Sequence, residues 1–228
     1  MEFSVGAYRF GHSQVRPSYR ANFTGNGGGP FFAMIFTPTP SDPADPDDLS
    51  GGRRAPRRFI DWPTFFDFGD GQVKPNKKID TTLSTPLFHL PGSVVPNPGA
   101  TNPASLAQRN LLRHLTFALP SGQRVAKAMQ LPVLSDGDLS ALKPHGLDDH
   151  TPLWFYVLRE AAVVQNGERL GPVGGRIVTE VFLGLLEGDR TSYLSQDPDW
   201  EPFLPTIDAS RTGEDFRMVD LLRFAGVA

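Results

Sequence analysis

Cysteine is missing from all 228 residues, which excludes disulfide scaffolds and cysteine-ligated zinc or iron-sulfur sites. Excess charge of one sign is also scarce. A formal net charge of -3 sets up no broad field that would draw the chain to nucleic acid or to an anionic membrane. No run of 18 or more apolar residues occurs, so the expectation is no membrane span. The opening MEFSVGAYRFGHSQ lacks the basic, apolar and small-residue order of a signal peptide, which points to a soluble chain whose sequence assigns it no compartment. No repeat period and no alternating strand pattern of useful length is present.

What is there suits one or two compact domains at roughly 100 to 200 residues each. Apolar residues make up 39% of the chain, enough for a core, while 23 glycines and 22 prolines forecast long, punctuated loops. Thirteen of the prolines lie between Pro30 and Pro103, and GNGGGP at 25 to 30 breaks the chain. Residues 24–103 therefore read as an irregular surface excursion pinned by the aromatic patch Trp62 to Phe68. Within it, the acidic run Asp42 to Asp48 and the basic run Arg53 to Arg58 sit side by side without interleaved aromatics. That is the pattern of a solvated loop more than of a nucleic-acid patch.

Helical patterning flanks the excursion, so the fold class is mainly α. Val5, Tyr8, Arg9, His12, Val15 and Tyr19 fall at helical spacings and predict an opening helix over 1–20, entered without a leading cap, as if in mid-domain. Pro17 should bend or end it. In 104–228, Leu106, Leu111, Leu112 and Leu115 line one short helix, and Ser121 caps another running to about Gln130. Thr151 as cap and Pro152 open a helix to about Gln165. Pro172 opens the strongest one, with Val173, Ile177, Val178, Val181, Phe182, Leu185 and Leu186 inward as far as Gly188. A last helix over 215–224 turns Phe216, Val219, Leu222 and Phe224 inward.

Five histidines supply the candidate chemistry. His89, His145 and His150 lie off any strong helical stripe and read as structural, and the cluster His145, Asp148, Asp149, His150 lacks the fixed spacing of a zinc motif. His12 differs. It lies mid-stripe after Gly11, which lets a flat ligand approach the backbone, and Arg9 is three residues earlier on the same face. A buried imidazole with a neighbouring guanidinium is what a haem with carboxylate side chains requires; from periodicity alone, a packed core histidine is the simpler reading.

The segment YRFGHSQVRP at 8–17 resembles the proximal-histidine helix of the animal-type haem peroxidases, the peroxidase-cyclooxygenase superfamily. NLLRHLTFALP at 110–120 is similar to the segment that brings an asparagine, an arginine three residues on, and a Leu-Pro nine residues after the asparagine. GERLGPVGGRIVTEVFLGLLEGDRTSYL at 167–194 is similar to that family's late helix, from Arg-x-Gly-Pro to Asp-Arg. These blocks occur in the family's order and are spread over the chain on both sides of the excursion.

The resemblance implies the C-terminal half of the helical peroxidase fold, with His12 as axial ligand of the iron of haem b. It makes Asn110 the acceptor of the proton on the imidazole's other nitrogen, which fixes the ring without a carboxylate's charge. Arg9 and Arg113 would pair with the haem propionates, the alternative for both being an ordinary surface ion pair. Radical-forming oxygenases of the superfamily carry tyrosine three residues before the histidine. Here Arg9 holds that place and Tyr8 points elsewhere, so the peroxidase branch is expected. The implied activity is reduction of hydrogen peroxide with oxidation of a small donor, a response to oxidative stress. In the family the distal histidine and the calcium loop precede the proximal helix. The chain thus reads as a partial domain, inactive alone, with no calcium site and no catalytic residue of its own. Its partners would be haem, peroxide, a small reductant and the missing N-terminal half. Such a fragment should expose apolar surface around Val5, Tyr8 and Val15. The alternative is a non-catalytic helical remnant or interaction module without haem chemistry.

Overall fold

The computed structural model describes residues 1–23, 29–30, 59–206 and 215–227; the acidic and basic runs of the excursion lie outside them. The described residues are mainly helical, and their contacts separate into two compact units, residues 1–16 with 76–189 and residues 17–75 with 190–228.

The first unit opens with a helical run that changes pitch twice: a wide π turn over Glu2–Gly6, a tight 3-10 turn over Ala7–Phe10, and a single α turn, α1, over Gly11–Gln14. Val15 is already extended. The predicted helix over 1–20 therefore ends earlier, because a residue ahead of a proline disfavours helical dihedrals and Pro17 limits the run. The Ser84 hydroxyl donates to the freed Val15 carbonyl.

Four longer helices follow: α2, Leu106–Thr116; α3, Gly122–Ala128; α4, Leu153–Val164; and α5, Pro172–Gly188. Helix α4 is the centre. Leu153, Tyr156, Val157 and Leu158 are fully buried, as is expected of a helix apolar on most of its circumference. It packs against α2, α3, α5 and the Ala7–Phe10 turn. One side meets Ala7, Val125, Val173 and Ile177, and the other carries Trp154, Leu158 and Ala161 to Ile79. Full burial of each large aliphatic side chain contributes about 1.5–3 kcal/mol. Close approach dictates Gly122, where a Cβ would lie 2.0 Å from Tyr156 Cγ, while the Tyr156 hydroxyl accepts from the Leu134 N–H at 2.9 Å.

Helix starts follow their sequence signals in part. Ser121 Oγ accepts from the Arg124 N–H at 3.4 Å, as expected of a cap. Thr151 does not cap α4: Pro152 occupies that position, and Thr151 Oγ1 instead donates to Leu147 O and accepts from Gln123 Nε2. Helix α5 has the predicted limits, with Val173 and Ile177 buried, but the inward stripe fades along it: Phe182 is 43% and Leu185 64% exposed. On α2 the leucines do not form the inner face. Leu115 is 73% exposed, and Asn110 is the buried residue, so a polar contact sets the helix's rotation. Val5 is buried, contrary to expectation, whereas Tyr8 is 51% exposed and stacks on Phe3 at 4.7 Å.

In the second unit, strands β1 (Ser18–Tyr19) and β2 (Gly29–Pro30) pair antiparallel, Ser18 with Pro30 and Tyr19 with Gly29. The aromatic patch is half-buried, with Tyr19 stacked on Phe65 at 6.4 Å and Trp62 near Phe66 at 6.0 Å. Thr64, buried, donates to Asp61 O at 2.9 Å, and Asn22 Nδ2 donates to Phe59 O at 2.9 Å. Short helices α6 (Tyr193–Gln196) and α7 (Met218–Phe224) complete the unit. The last begins three residues later than predicted and buries Leu222, while Phe224 stays 60% exposed. Among the described residues, no helix is long and apolar enough to cross a membrane.

Candidate functional site

The first unit gathers the sequence-predicted site residues at the junction of α1 with α2. His12 rides on α1, whose preceding turn is anchored by α4: Trp154 Nε1–H donates to the Arg9 carbonyl at 3.1 Å. Ser13 Oγ donates to Phe10 O at 2.8 Å and ties the two turns together. Ser105 caps α2, accepting from the Gln108 N–H, and the helix then carries Asn110 into full burial.

Ninety-eight residues separate His12 from Asn110, yet His12 Nδ1 and Asn110 Nδ2 are 2.9 Å apart. On the other side of the amide, Arg9 Nη1 donates to Asn110 Oδ1 at 2.8 Å. The contact pairs the residues named from sequence, but the amide presents its nitrogen to the ring, the reverse of the orientation implied by the family resemblance. His12 is half-buried. Its pKa is pushed down from 6.5 to about 4, first by loss of solvation and then by the Arg9 charge. His12 Nε2 has no hydrogen-bond partner among the described residues. Beside it, nothing lies within 4 Å of where a Gly11 Cβ would stand, so the backbone there is open to a flat ligand.

Arg113 is exposed, with its guanidinium carbon 5.9 Å from the centre of the Phe117 ring one turn on. It is close enough to Arg9 to act on it. Burial, then the charges of Arg113 and Arg109, hold the Arg9 pKa below the ordinary guanidinium value. No carboxylate pairs with Arg9 or Arg113 among the described residues, so the surface ion-pair alternative has no partner there.

Arg109 and Trp154 are the residues that sequence reasoning misses. Arg109 Nη1 donates to Asn102 Oδ1 at 2.7 Å, and with Arg113 it lines a cavity of about 270 Å³ beside α2. Its only sequence signal is a second arginine four residues on. Trp154 sits inside the apolar LWFY run and reads there as core. His89, His145 and His150 are exposed. His114 Nδ1 is buried without a partner among the described residues, and burial lowers its pKa. No group of three or more histidines, aspartates or glutamates among the described residues is placed to hold a metal ion; an axial ligand to a porphyrin iron needs no such group.

The donor set therefore fits a metalloporphyrin with carboxylate side chains: an imidazole nitrogen without a protein partner and guanidiniums without an anion among the described residues, and an open glycine. No protein-family model matches the chain, and no curated protein matches it. Among solved structures it is similar to peroxidase A from Dictyostelium discoideum, with a TM-score of 0.58 and 20% identity over 96% of this chain and 42% of that one. The chain thus spans less than half of that protein's length, and what the likeness establishes is a mainly helical, peroxidase-like fold.

Proposed function

We propose that this chain forms the proximal side of a haem-dependent peroxidase, reducing hydrogen peroxide and oxidising a small donor. His12 Nε2 would hold the iron of haem b, Asn110 would fix the ring through Nδ1, and Arg9 and Arg113 would pair with the propionates. Bound haem would supply the redox chemistry, taking oxidising equivalents from peroxide and passing them to the donor. The chain's own residues bind and orient: α4 fixes the Arg9 backbone through Trp154, and α2 brings Asn110 to a ring almost a hundred residues away. The observation that carries the reading is the approach of Asn110 to His12 Nδ1 at 2.9 Å across ninety-eight residues, supported by the peroxidase-like fold. In the family, the residues that handle the peroxide proton and bind calcium belong to the preceding half of the domain, which is the protein partner this reading implies.

The test is a titration of the chain with haem. A Soret band typical of histidine-ligated iron should appear and be lost in His12→Ala. A spectrum indistinguishable from free haem, or one unchanged by the substitution, would favour a helical module without haem chemistry.

A further inference from the structure

Asn110 stands between a group that can only donate and a ring that can do either. Every nitrogen of the Arg9 guanidinium is a donor, and Nη1 lies 2.8 Å from Asn110 Oδ1. Turning the amide over would set an NH₂ against that guanidinium, so the Arg9 contact fixes the oxygen on its own side. Asn110 Nδ2 then faces His12 Nδ1 at 2.9 Å. An amide NH₂ donates, so Nδ1 accepts, and a neutral imidazole whose Nδ1 accepts carries its proton on Nε2. A protonated Nε2 has no lone pair for a metal. Ligation through Nε2 needs the proton on Nδ1 and an oxygen facing it, which is the opposite orientation of the same amide.

We propose that Arg9 is a positioning residue that couples carboxylate capture to iron ligation through Asn110. This inference rests on the haem reading above. While Arg9 bonds Asn110, the ring is locked in the tautomer that does not ligate. When the guanidinium turns to a carboxylate of the incoming porphyrin, Asn110 is released to rotate, accept from Nδ1–H and leave Nε2 free. Nε2 gives its proton to water and Nδ1 takes one from water. The ring stays neutral and nothing is oxidised. The contacts of Arg9 permit the exchange: it has no carboxylate holding it among the described residues, and its Nε contact to Ser4 O at 3.1 Å anchors the stem independently of Nη1. A porphyrin without free carboxylates should therefore meet a histidine in the wrong state.

Two measurements test this. Long-range nitrogen-proton NMR correlations on the ligand-free chain should show His12 as the Nε2–H tautomer, and as Nδ1–H in Asn110→Asp, whose carboxylate accepts from both neighbours. Soret titrations with iron protoporphyrin and with its dimethyl ester then separate coupling from simple ion pairing. Pairing alone predicts that Arg9→Leu leaves capture of the diester unchanged. Coupling predicts that Arg9→Leu and Asn110→Asp each capture the diester about tenfold more tightly than the unaltered chain, the worth of one hydrogen bond to a charged group. An Nδ1–H tautomer in the ligand-free chain, or diester capture no tighter in either variant, overturns the coupling while leaving the haem reading in place. Absence of any His12-dependent Soret band with either porphyrin overturns both.

Discussion

A charged His12 would have no acceptor for its Nδ1 proton, since the Asn110 amide turns its NH₂ that way and Arg9 lies just beyond. Loss of solvation and the Arg9 charge accordingly bring the pKa from 6.5 down to about 4. The unfolded chain takes up a proton below about pH 6.5, while the folded chain resists it until about pH 4. The contribution to stability is therefore complete above 6.5 and is lost as the pH falls between these values, with a slope of at most about 1.4 kcal/mol per pH unit. Urea unfolding of the ligand-free chain across pH 4 to 7 should show this decline, and His12→Gln, which cannot titrate, should lose that share of the slope. Equal slopes in the two proteins would place the His12 ring in solvent.

Helix α5 begins on a buried carboxyl group. Glu160, 2% exposed on α4, accepts the N–H groups of Val173 at 3.0 Å and of Gly174 at 3.2 Å, so a side chain from another helix satisfies donors the first turn leaves open. Burial raises its pKa, and the two backbone bonds act the other way. Glycine is required at 171, where a Cβ would lie 2.3 Å from Glu160 Cγ. Glu160→Ala should cost about 2–4 kcal/mol, from unpaired donors and a cavity, with Glu160→Gln costing less because it keeps the shape and one acceptor. Chemical denaturation measures both, and a loss below about 0.5 kcal/mol in the alanine variant would mean that the α5 terminus finds other acceptors. The limits of α5 are legible in the sequence because Pro172, Gly188 and the apolar stripe agree, and the α3 cap is legible in Ser121. The rotation of α2 is not: hydrophobic periodicity favours its leucines, whereas a single amide contact to α1 decides which face is buried. The opening helix is misread for a related reason, since periodicity near 3.6 does not register the change from π to 3-10 to α turns. The pairing of His12 with Asn110 is legible only through the family motifs, and the orientation of the amide depends on Arg9, which no pattern encodes.

At the scale of the whole chain, a TM-score of 0.58 at 20% identity means that the helical framework is shared where most side chains are not. Catalytic competence depends on those side chains. Under the proposed haem reading His12 would set the iron's electronics, whereas breaking the peroxide bond would draw on a positioned acid and base on the opposite face, worth about 100- to 10,000-fold. His89, His145 and His150 point to solvent, and the buried nitrogen of His114 has no partner among the described residues. The 228-residue chain loaded with haem should therefore oxidise a chromogenic donor with peroxide little faster than free haem at the same concentration, even where the His12-dependent Soret band is complete. Steady-state assays of the loaded chain, of His12→Ala and of His114→Ala decide the matter. Turnover far above free haem that is lost in both variants would show that His114 supplies the acid-base function and that the 228-residue chain is active by itself.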